Sequence, residues 1–193
     1  PIYWFKPAAV KTRQGDIEAI ADEFVEKLVA LGGRCDFAQD IAVPYTLRVI
    51  MSIFGVPESD ERTMLELTQG LFGAADPEDL GDFSDPFAAL TSSIARFDEY
   101  FQALAADRRA CPTDDLATVI ANGTVDGCPL DQHATLWYFT IVATAGHDTT
   151  SFALSGGMEA LLRHPEQVAA LAADPGLATN AAEEMIQIGR AHV

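Results

Sequence analysis

The longest helix that the sequence predicts runs from residue 130 to about residue 162 and contains no proline. Nearly all other periodic segments also repeat their apolar residues at the 3.6-residue period of an α-helix. The chain has 193 residues, which suffice for one sizeable core and fall short of two comfortable domains. These features predict a mostly α-helical fold.

Shorter helices are expected on both sides of the long one, with ends marked by glycine or proline. They cover residues 12–31 (ended by Gly32 and Gly33), 35–54 (with Pro44 near the start), 58–72, 87–110, about 115–121, 165–173 and from 178 onward. The stretch 73–86 is rich in Gly, Pro and Asp and is predicted to be a loop. Thr124 and Val125, between two tight turns, are too short a segment to predict a strand.

The chain is strongly acidic, with 29 Asp and Glu against 12 Lys and Arg and a net charge of −17. This charge repels phosphate backbones and anionic lipid headgroups, so binding to nucleic acid or to a membrane surface is disfavoured. Cys35, Cys111 and Cys128 are widely spaced, which argues against a disulfide framework or a zinc site. No apolar run is long enough to span a membrane, and no signal-peptide pattern is present. The sequence therefore predicts a cytoplasmic protein.

A polar interruption, AGHDTT at residues 145–150, lies in the middle of the long apolar helix. Gly146 costs a helix about 1 kcal/mol relative to alanine, but it lets another group approach the backbone closely. The Thr149 hydroxyl is placed to bond back to the Ala145 carbonyl and to open the helix there. Asp148 adds a carboxylate, which is costly in apolar surroundings unless it has partners or a task. An adjacent acid and alcohol could relay protons to a bound molecule.

Helix packing or capping would explain each of these residues singly, but their order resembles a known signature. It is the (A/G)-G-x-(D/E)-T-(T/S) pattern on the central helix of the haem-thiolate monooxygenases, the cytochrome P-450 superfamily. Flanking segments are similar to the family in the same order: FGVP (54–57), DDLATVIANGTVDGCPL (114–130), HPEQVAALAADP (164–175) and AAEEM (181–185). The resemblance covers almost the whole chain and is closest to soluble bacterial members that hydroxylate terpenoid alcohols.

The resemblance implies the central helical part of this fold, from about the D helix to the start of the K helix, as an incomplete single domain. It implies haem b as cofactor, O2 and a small hydrophobic substrate such as a terpenoid, and electrons from NAD(P)H through a reductase and a ferredoxin. It also implies roles for individual residues. Asp148 and Thr149 would be catalytic and deliver protons. Ala145, Gly146 and Thr150 would form the oxygen groove on the distal haem face, and Glu184 would support the haem-side core. Ile141 and Thr144, one turn before this segment on the same helix face, are expected to line the substrate pocket, with the segment around Leu71 and Phe72 as its lid.

The resemblance also indicates what lies elsewhere. The family ligates haem iron through a cysteine in a Phe-x-x-Gly-x-x-x-Cys-x-Gly loop, and none of the three cysteines has that context. We therefore expect no metal ligand among these residues, a chain that is a middle section of a longer enzyme, and no activity from the chain alone.

The last residues, 187–193, read QIGRAHV and do not resemble the family. Glu184 matches the glutamate of the family's Glu-x-x-Arg motif, which would place an arginine where Gln187 stands. A widely used sequencing adapter, AGATCGGAAGAGCACACGTCTGA, translates after one preceding C as Gln-Ile-Gly-Arg-Ala-His-Val-stop, and arginine codons of the CGN class begin with that C. We therefore expect a partial P-450 domain over residues 1–186 and a non-native tail over residues 187–193.

Two other interpretations stay open on the residues alone. His147-Asp148 is also the dipeptide of metal-dependent His-Asp phosphohydrolases, for which His133 and Asp174 would be the further ligands. A non-catalytic helical module that binds a hydrophobic ligand is the other. In the monooxygenase interpretation, His147 occupies the variable position of the signature and has no assigned role.

Overall fold

The structure is a computed structural model that describes residues 6–72 and 86–190. The α-helices are α1 (Pro7–Thr12), α2 (Gln14–Ala30), α3 (Val43–Phe54), α4 (Glu61–Phe72), α5 (Pro86–Ala110), α6 (Leu116–Ala121), α7 (Gln132–Arg163), α8 (Pro165–Ala173) and α9 (Ala178–Arg190). A π-helical turn, Ala38–Ala42, precedes α3, and short 3-10 turns lie at Glu58–Asp60 and Pro175–Leu177. The mostly helical fold that the sequence predicts is confirmed.

The helix boundaries differ from the predicted ones in a few places. The predicted helix 12–31 corresponds to α2, which starts at Gln14, and the separate helix α1 before it was not predicted. Gly32 and Gly33 follow α2 with φ of 67° and 81°, a region in which glycine is not strained. The predicted loop 73–86 lies almost entirely outside the described residues.

Two short strands, β1 (Thr124–Val125) and β2 (Cys128–Pro129), pair as an antiparallel hairpin that the sequence left open. Asp126 and Gly127 connect them with φ of 52° and 78°. Two consecutive residues with positive φ form the tight turn that suits the twist of paired strands.

Pro44 shapes the start of α3. It has no N–H to donate to the Asp40 carbonyl, one turn earlier in the chain. The Lys27 ammonium donates to that carbonyl instead, with its nitrogen 2.6 Å from the oxygen. The π-helical turn before α3 thus lies where proline removes a regular helix bond.

Contacts divide the chain into two compact units. The first comprises Pro1–Ala19 and Leu47–Thr144, and the second comprises Ile20–Thr46 and Ala145–Val193. Helices α2, α3 and α7 each pass from one unit to the other.

Aromatic rings from α3, α5 and α7 form the centre of the first unit's core. Phe101 and Phe139 stack with their ring centroids 4.9 Å apart, and Phe97 lies 4.5 Å from Phe101. Phe54 completes the group at 5.7 Å from Phe139, and all four side chains are buried. Burial of such rings removes a large apolar area from water, which is the main stabilisation of this unit.

A buried ion pair joins the end of α3 to α5 and α6. Arg108 donates to a carboxylate oxygen of Asp115 and to the carbonyl of Gly55, at 2.7 Å in both cases. Asp115 also accepts from the Thr118 backbone N–H at 2.7 Å and so caps α6. Burial alone would raise the pKa of Asp115, but the bonds from Thr113, Thr118 and Arg108 outweigh it and lower the pKa.

Small residues let helices approach each other in the second unit. A Cβ atom at Gly157 of α7 would lie 2.4 Å from Cγ of Met185 in α9, far inside van der Waals contact.

An aromatic contact also belongs to the second unit. Phe24 of α2 packs edge-on against Tyr45, with ring centroids 5.7 Å apart. Within residues 6–72 and 86–190, no helix combines the length and the apolar character needed to cross a bilayer.

Candidate active site

The AGHDTT segment lies within α7, where Thr149 makes the predicted bond. Its hydroxyl donates to the Ala145 carbonyl oxygen at 2.7 Å. The predicted opening of the helix is wrong, because α7 is α-helical without a break from Gln132 to Arg163. A carbonyl oxygen has two lone pairs, so it can accept the hydroxyl without losing its amide partner.

One face of α7 in the second unit is uncovered. Ala145 and Thr149 are exposed, and Phe152 on the next turn is 71% exposed. Residues three and four apart share a helix face, so these side chains lie in one row. This row combines a small residue, a hydroxyl and a large ring, and it is open to a ligand.

Asp148 has an oxygen without a partner. Its side chain is 23% exposed, and its Oδ2 atom is buried without a hydrogen bond from the described residues. Oδ1 lies 3.0 Å from Nδ1 of His147, but that contact lacks hydrogen-bond geometry, and Nδ1 also has no partner there. A buried carboxylate oxygen left unpaired is costly, which marks Asp148 as a candidate functional group.

His147, to which the sequence analysis assigns no role, is buried in the structure. It is 1% exposed, and its Nε2 atom lies 3.2 Å from the Val43 carbonyl oxygen. Its burial agrees with helix geometry, because a residue two positions after the exposed Ala145 lies on the opposite side of the helix. A polar ring on the covered side of α7 needs a buried partner, and the variable position of a signature gave no reason to expect one.

The other residues assigned to the haem side are placed apart from this row. Thr150 is exposed on α7. Glu184 lies on α9 with an exposed side chain, at the rim of an apolar cavity of about 310 Å³ that Gly157 and Met185 also line. Glu184 makes no hydrogen bond to residues 145–150 within the described chain.

Two of the four predicted substrate residues meet in the first unit. Leu71 of α4 and Thr144 of α7 line one mainly apolar cavity of about 330 Å³, together with Phe97 and Trp137. The Thr144 hydroxyl donates to the Thr140 carbonyl at 2.7 Å. Ile141 is 54% exposed and is not among the lining residues. Phe72 ends α4, and its side chain lies outside the described residues, as does the segment after it.

The residues that the phosphohydrolase interpretation requires are engaged in other ways. His133 accepts a hydrogen bond from the Trp137 indole at 2.9 Å, and Asp174 accepts from the Gly176 backbone N–H at 2.9 Å. In the part of the chain that the structure describes, no three His, Cys, Asp or Glu side chains converge to hold a metal ion. This geometry gives the phosphohydrolase interpretation no support.

Among the described residues, the fold is mostly helical, and its longest helix carries the AGHDTT segment with Thr149 bonded back to Ala145. No protein-family model matches the chain. The chain is, however, 38% identical over 190 residues to cytochrome P-450-terp of a Pseudomonas species. This alignment covers 95% of this chain and 44% of the relative. The chain is 34% identical over 188 residues to a steroid C26-monooxygenase of Mycobacterium tuberculosis, covering 95% of this chain and 48% of the relative.

A solved structure agrees with these relatives. The crystal structure of CYP108D1 from Novosphingobium aromaticivorans superposes with a TM-score of 0.80 at 42% identity, over 95% of this chain and 42% of that one. The chain belongs to the cytochrome P-450 superfamily and forms the central helical part of its fold. It spans less than half the length of the relatives it matches.

The residues of α7 fit the haem that this family uses. Haem is a large, flat and mostly apolar group, and the open row offers a small residue at Ala145, next to Gly146, with the exposed ring of Phe152 two turns on. Cys35, Cys111 and Cys128 are free and exposed, and none of them belongs to α7. These residues are compatible in size and polarity with a face of a haem, and α7 itself contains no cysteine.

Proposed function

We propose that this chain is part of a haem-dependent monooxygenase that inserts one atom of O2 into a C–H bond of a small hydrophobic substrate, with terpenoids as the first class to test. The names of the relatives and the mainly apolar cavity beside Leu71 and Thr144 support this substrate class. Electrons would come from NAD(P)H through a reductase and a ferredoxin. The free cysteines accord with a reducing cytoplasm.

Haem b, ligated by a cysteine outside these residues, would supply the oxygen-activating chemistry. The residues of α7 would position it and handle protons. Ala145 and Gly146 have little or no side chain, so they would let a small molecule approach the backbone of α7 closely. Thr150 would belong to the oxygen groove on the distal haem face, and Glu184 would support the haem-side core.

The observation that carries the proposal is the state of the acid and the alcohol. Thr149 donates its hydrogen to Ala145, so its oxygen keeps lone pairs to accept a hydrogen bond from a water or an acid. Asp148, the preceding residue, has a buried oxygen with no partner among the described residues. A proton held by Asp148 would reach the Thr149 oxygen after the carboxyl group turns toward it, and a rotation of the hydroxyl would then present a proton to the open row.

The test is to express the complete protein and to supply NADH, a ferredoxin, its reductase and ¹⁸O2. Incorporation of one labelled atom into a terpenoid or another hydrophobic substrate is expected. Asp148→Asn should slow turnover by about 10²-fold or more while haem binding is kept, because it removes the ionisable group of the relay. Glu183→Gln, which changes an exposed acid on α9, is the matched control and should leave turnover unchanged. Failure to bind haem, or a full rate for Asp148→Asn, would contradict the proposal.

A further inference from the structure

We propose that His147 is a positioning residue that fixes the carboxyl group of Asp148 and shares a proton with it. The inference rests on the proposed function, since it assigns a residue that controls the proposed proton donor. It comes from three features of this chain: the burial of His147, its contact with Val43 and its contact with Asp148.

The contact with Val43 fixes the tautomer of the ring. His147 Nε2 lies 3.2 Å from the Val43 carbonyl oxygen, and a carbonyl can only accept. Nε2 must therefore carry a hydrogen. Val43 is the first residue of α3 and directly precedes Pro44, so the anchor is a point of fixed backbone rather than a flexible side chain. With 1% of the residue exposed, the ring has little room to turn over.

The fixed tautomer determines what Nδ1 can do. If the ring is neutral, Nδ1 offers a lone pair, and the Asp148 Oδ1 atom 3.0 Å away would offer another. Two facing acceptors repel each other unless a hydrogen lies between them. The contact is favourable when the pair has taken up one proton, whether that proton resides on Nδ1 or on Oδ1. The pair is thus built to hold one proton next to Thr149.

The geometry also leaves the pair able to move. In the structure the 3.0 Å contact lacks hydrogen-bond alignment, so Nδ1 and Asp148 Oδ2 are both unpartnered among the described residues. A small rotation of the Asp148 side chain aligns Oδ1 with Nδ1 when the proton is present. The reverse rotation frees the carboxyl group to pass the proton on.

The first experiment is a double-mutant cycle in the complete, haem-loaded enzyme. His147→Gln keeps an amide N–H at the position of Nε2, so the anchor to Val43 survives, while the nitrogen beside Asp148 is lost. We expect kcat to fall by up to about 10²-fold with KM unchanged, as for a misplaced catalytic group. In an Asp148→Asn background, the same change should slow kcat by less than about twofold, because His147 acts through Asp148.

The outcomes separate this inference from the proposed function. If Asp148→Asn has a full rate, the proposed relay is wrong. If Asp148→Asn is slow but His147→Gln keeps its full kcat, the role of His147 is wrong and the relay stands. The same follows if the loss of kcat in the double variant equals the product of the losses in the two single variants. His164→Gln changes an exposed histidine that contacts Glu166 and serves as the matched control. It should leave kcat unchanged.

A second measurement does not depend on activity or on the folding of a variant. Nitrogen NMR of the histidine-labelled enzyme, in its diamagnetic reduced and CO-bound form, reports which ring nitrogen carries hydrogen. We expect a hydrogen on Nε2 of His147. A hydrogen on Nδ1 with a bare Nε2 would overturn the inference, because the ring could then neither donate to Val43 nor accept a proton from Asp148.

Discussion

The hydroxyl of Thr149 donates to the carbonyl oxygen of Ala145, one turn earlier in α7, over 2.7 Å. The bond holds a polar oxygen at an open, otherwise apolar row without breaking the helix. The backbone carbonyl of Ala145 therefore fixes the position of the Thr149 hydroxyl, and the hydroxyl oxygen stays able to accept a hydrogen bond. The carboxyl group next to it, on Asp148, retains one buried oxygen without a partner in the described chain.

The size of residue 141 is expected to affect substrate binding. Ile141 does not line the cavity beside Leu71 and Thr144, but it lies one turn before Ala145 and is 54% exposed. A larger ring there would project from the exposed side of the helix, where the sequence analysis places the substrate. In the complete enzyme, Ile141→Phe should weaken substrate binding by about tenfold or change the product pattern, as overpacking typically costs 1–3 kcal/mol. Substrate titrations and product analysis measure this.

Leu162→Phe is the control for that experiment, because Leu162 is also an exposed apolar residue of α7, at 74%. It lies near the end of the helix and should leave binding unchanged. Equal affinity and products for Ile141→Phe and the wild type would show that Ile141 does not face the substrate.

Gly55 is predicted to tolerate no side chain. Its φ is 72°, and a Cβ atom would lie 2.1 Å from Oδ2 of Asp115, which Arg108 holds in place. Gly127 has a similar φ of 78° but open space around it. Both substitutions by alanine should cost the left-handed penalty of roughly 1–2 kcal/mol, and Gly55→Ala should cost at least about 1 kcal/mol more from the clash. Denaturant unfolding compares the two, and equal losses would contradict the contact.

The low pKa of Asp115 predicts how stability depends on pH. Burial alone would raise this pKa, but hydrogen bonds from Thr113, Thr118 and Arg108 lower it below the ordinary 3.8. As pH falls, Asp115 in the unfolded chain takes up its proton first. The stabilisation by the ionised carboxylate is therefore complete above about pH 3.8, and it is lost as pH falls through the lower pKa of the folded protein.

The comparison for this prediction is the wild type against Asp115→Asn, by unfolding at several pH values. The stability difference should stay constant from about pH 7 to about pH 5 and should shrink below about pH 4. A difference that grows toward low pH would show that the ion pair does not lower this pKa.

The sequence predicted the helical elements well, because their apolar residues repeat with a helix period and glycine or proline marks their ends. The hairpin at Thr124–Val125 was left open because two residues carry no period. Helix α1 was missed because six residues are too few to show a helix period. The π-helical turn before Pro44 depends on a carbonyl that Lys27 satisfies from another helix, which no local pattern reveals.

The part of the candidate site that depends on spacing within one helix could be predicted from the sequence. The bond from Thr149 to Ala145 follows from their spacing of four in a helix, and the structure contains it. The role of His147 depends on Val43, which is 104 residues away in the chain, and such a contact has no signature in a single sequence. The assignment of Ile141 and Thr144 to the substrate pocket came from their shared helix face, and it stays a prediction. In the structure, Thr144 lines a cavity with Leu71, and Ile141 does not.

The most direct test of the account is the coupling of electron use to product formation in Thr149→Ala of the complete enzyme. The exposed side chain contributes little to packing, so haem content and electron uptake should be kept. Without the hydroxyl, protons from Asp148 no longer reach the open row in order. Most of the NADH consumed should then appear as hydrogen peroxide rather than as hydroxylated product. If Thr149→Ala still converts nearly all of its NADH into product, the acid and alcohol of α7 do not form the proposed relay.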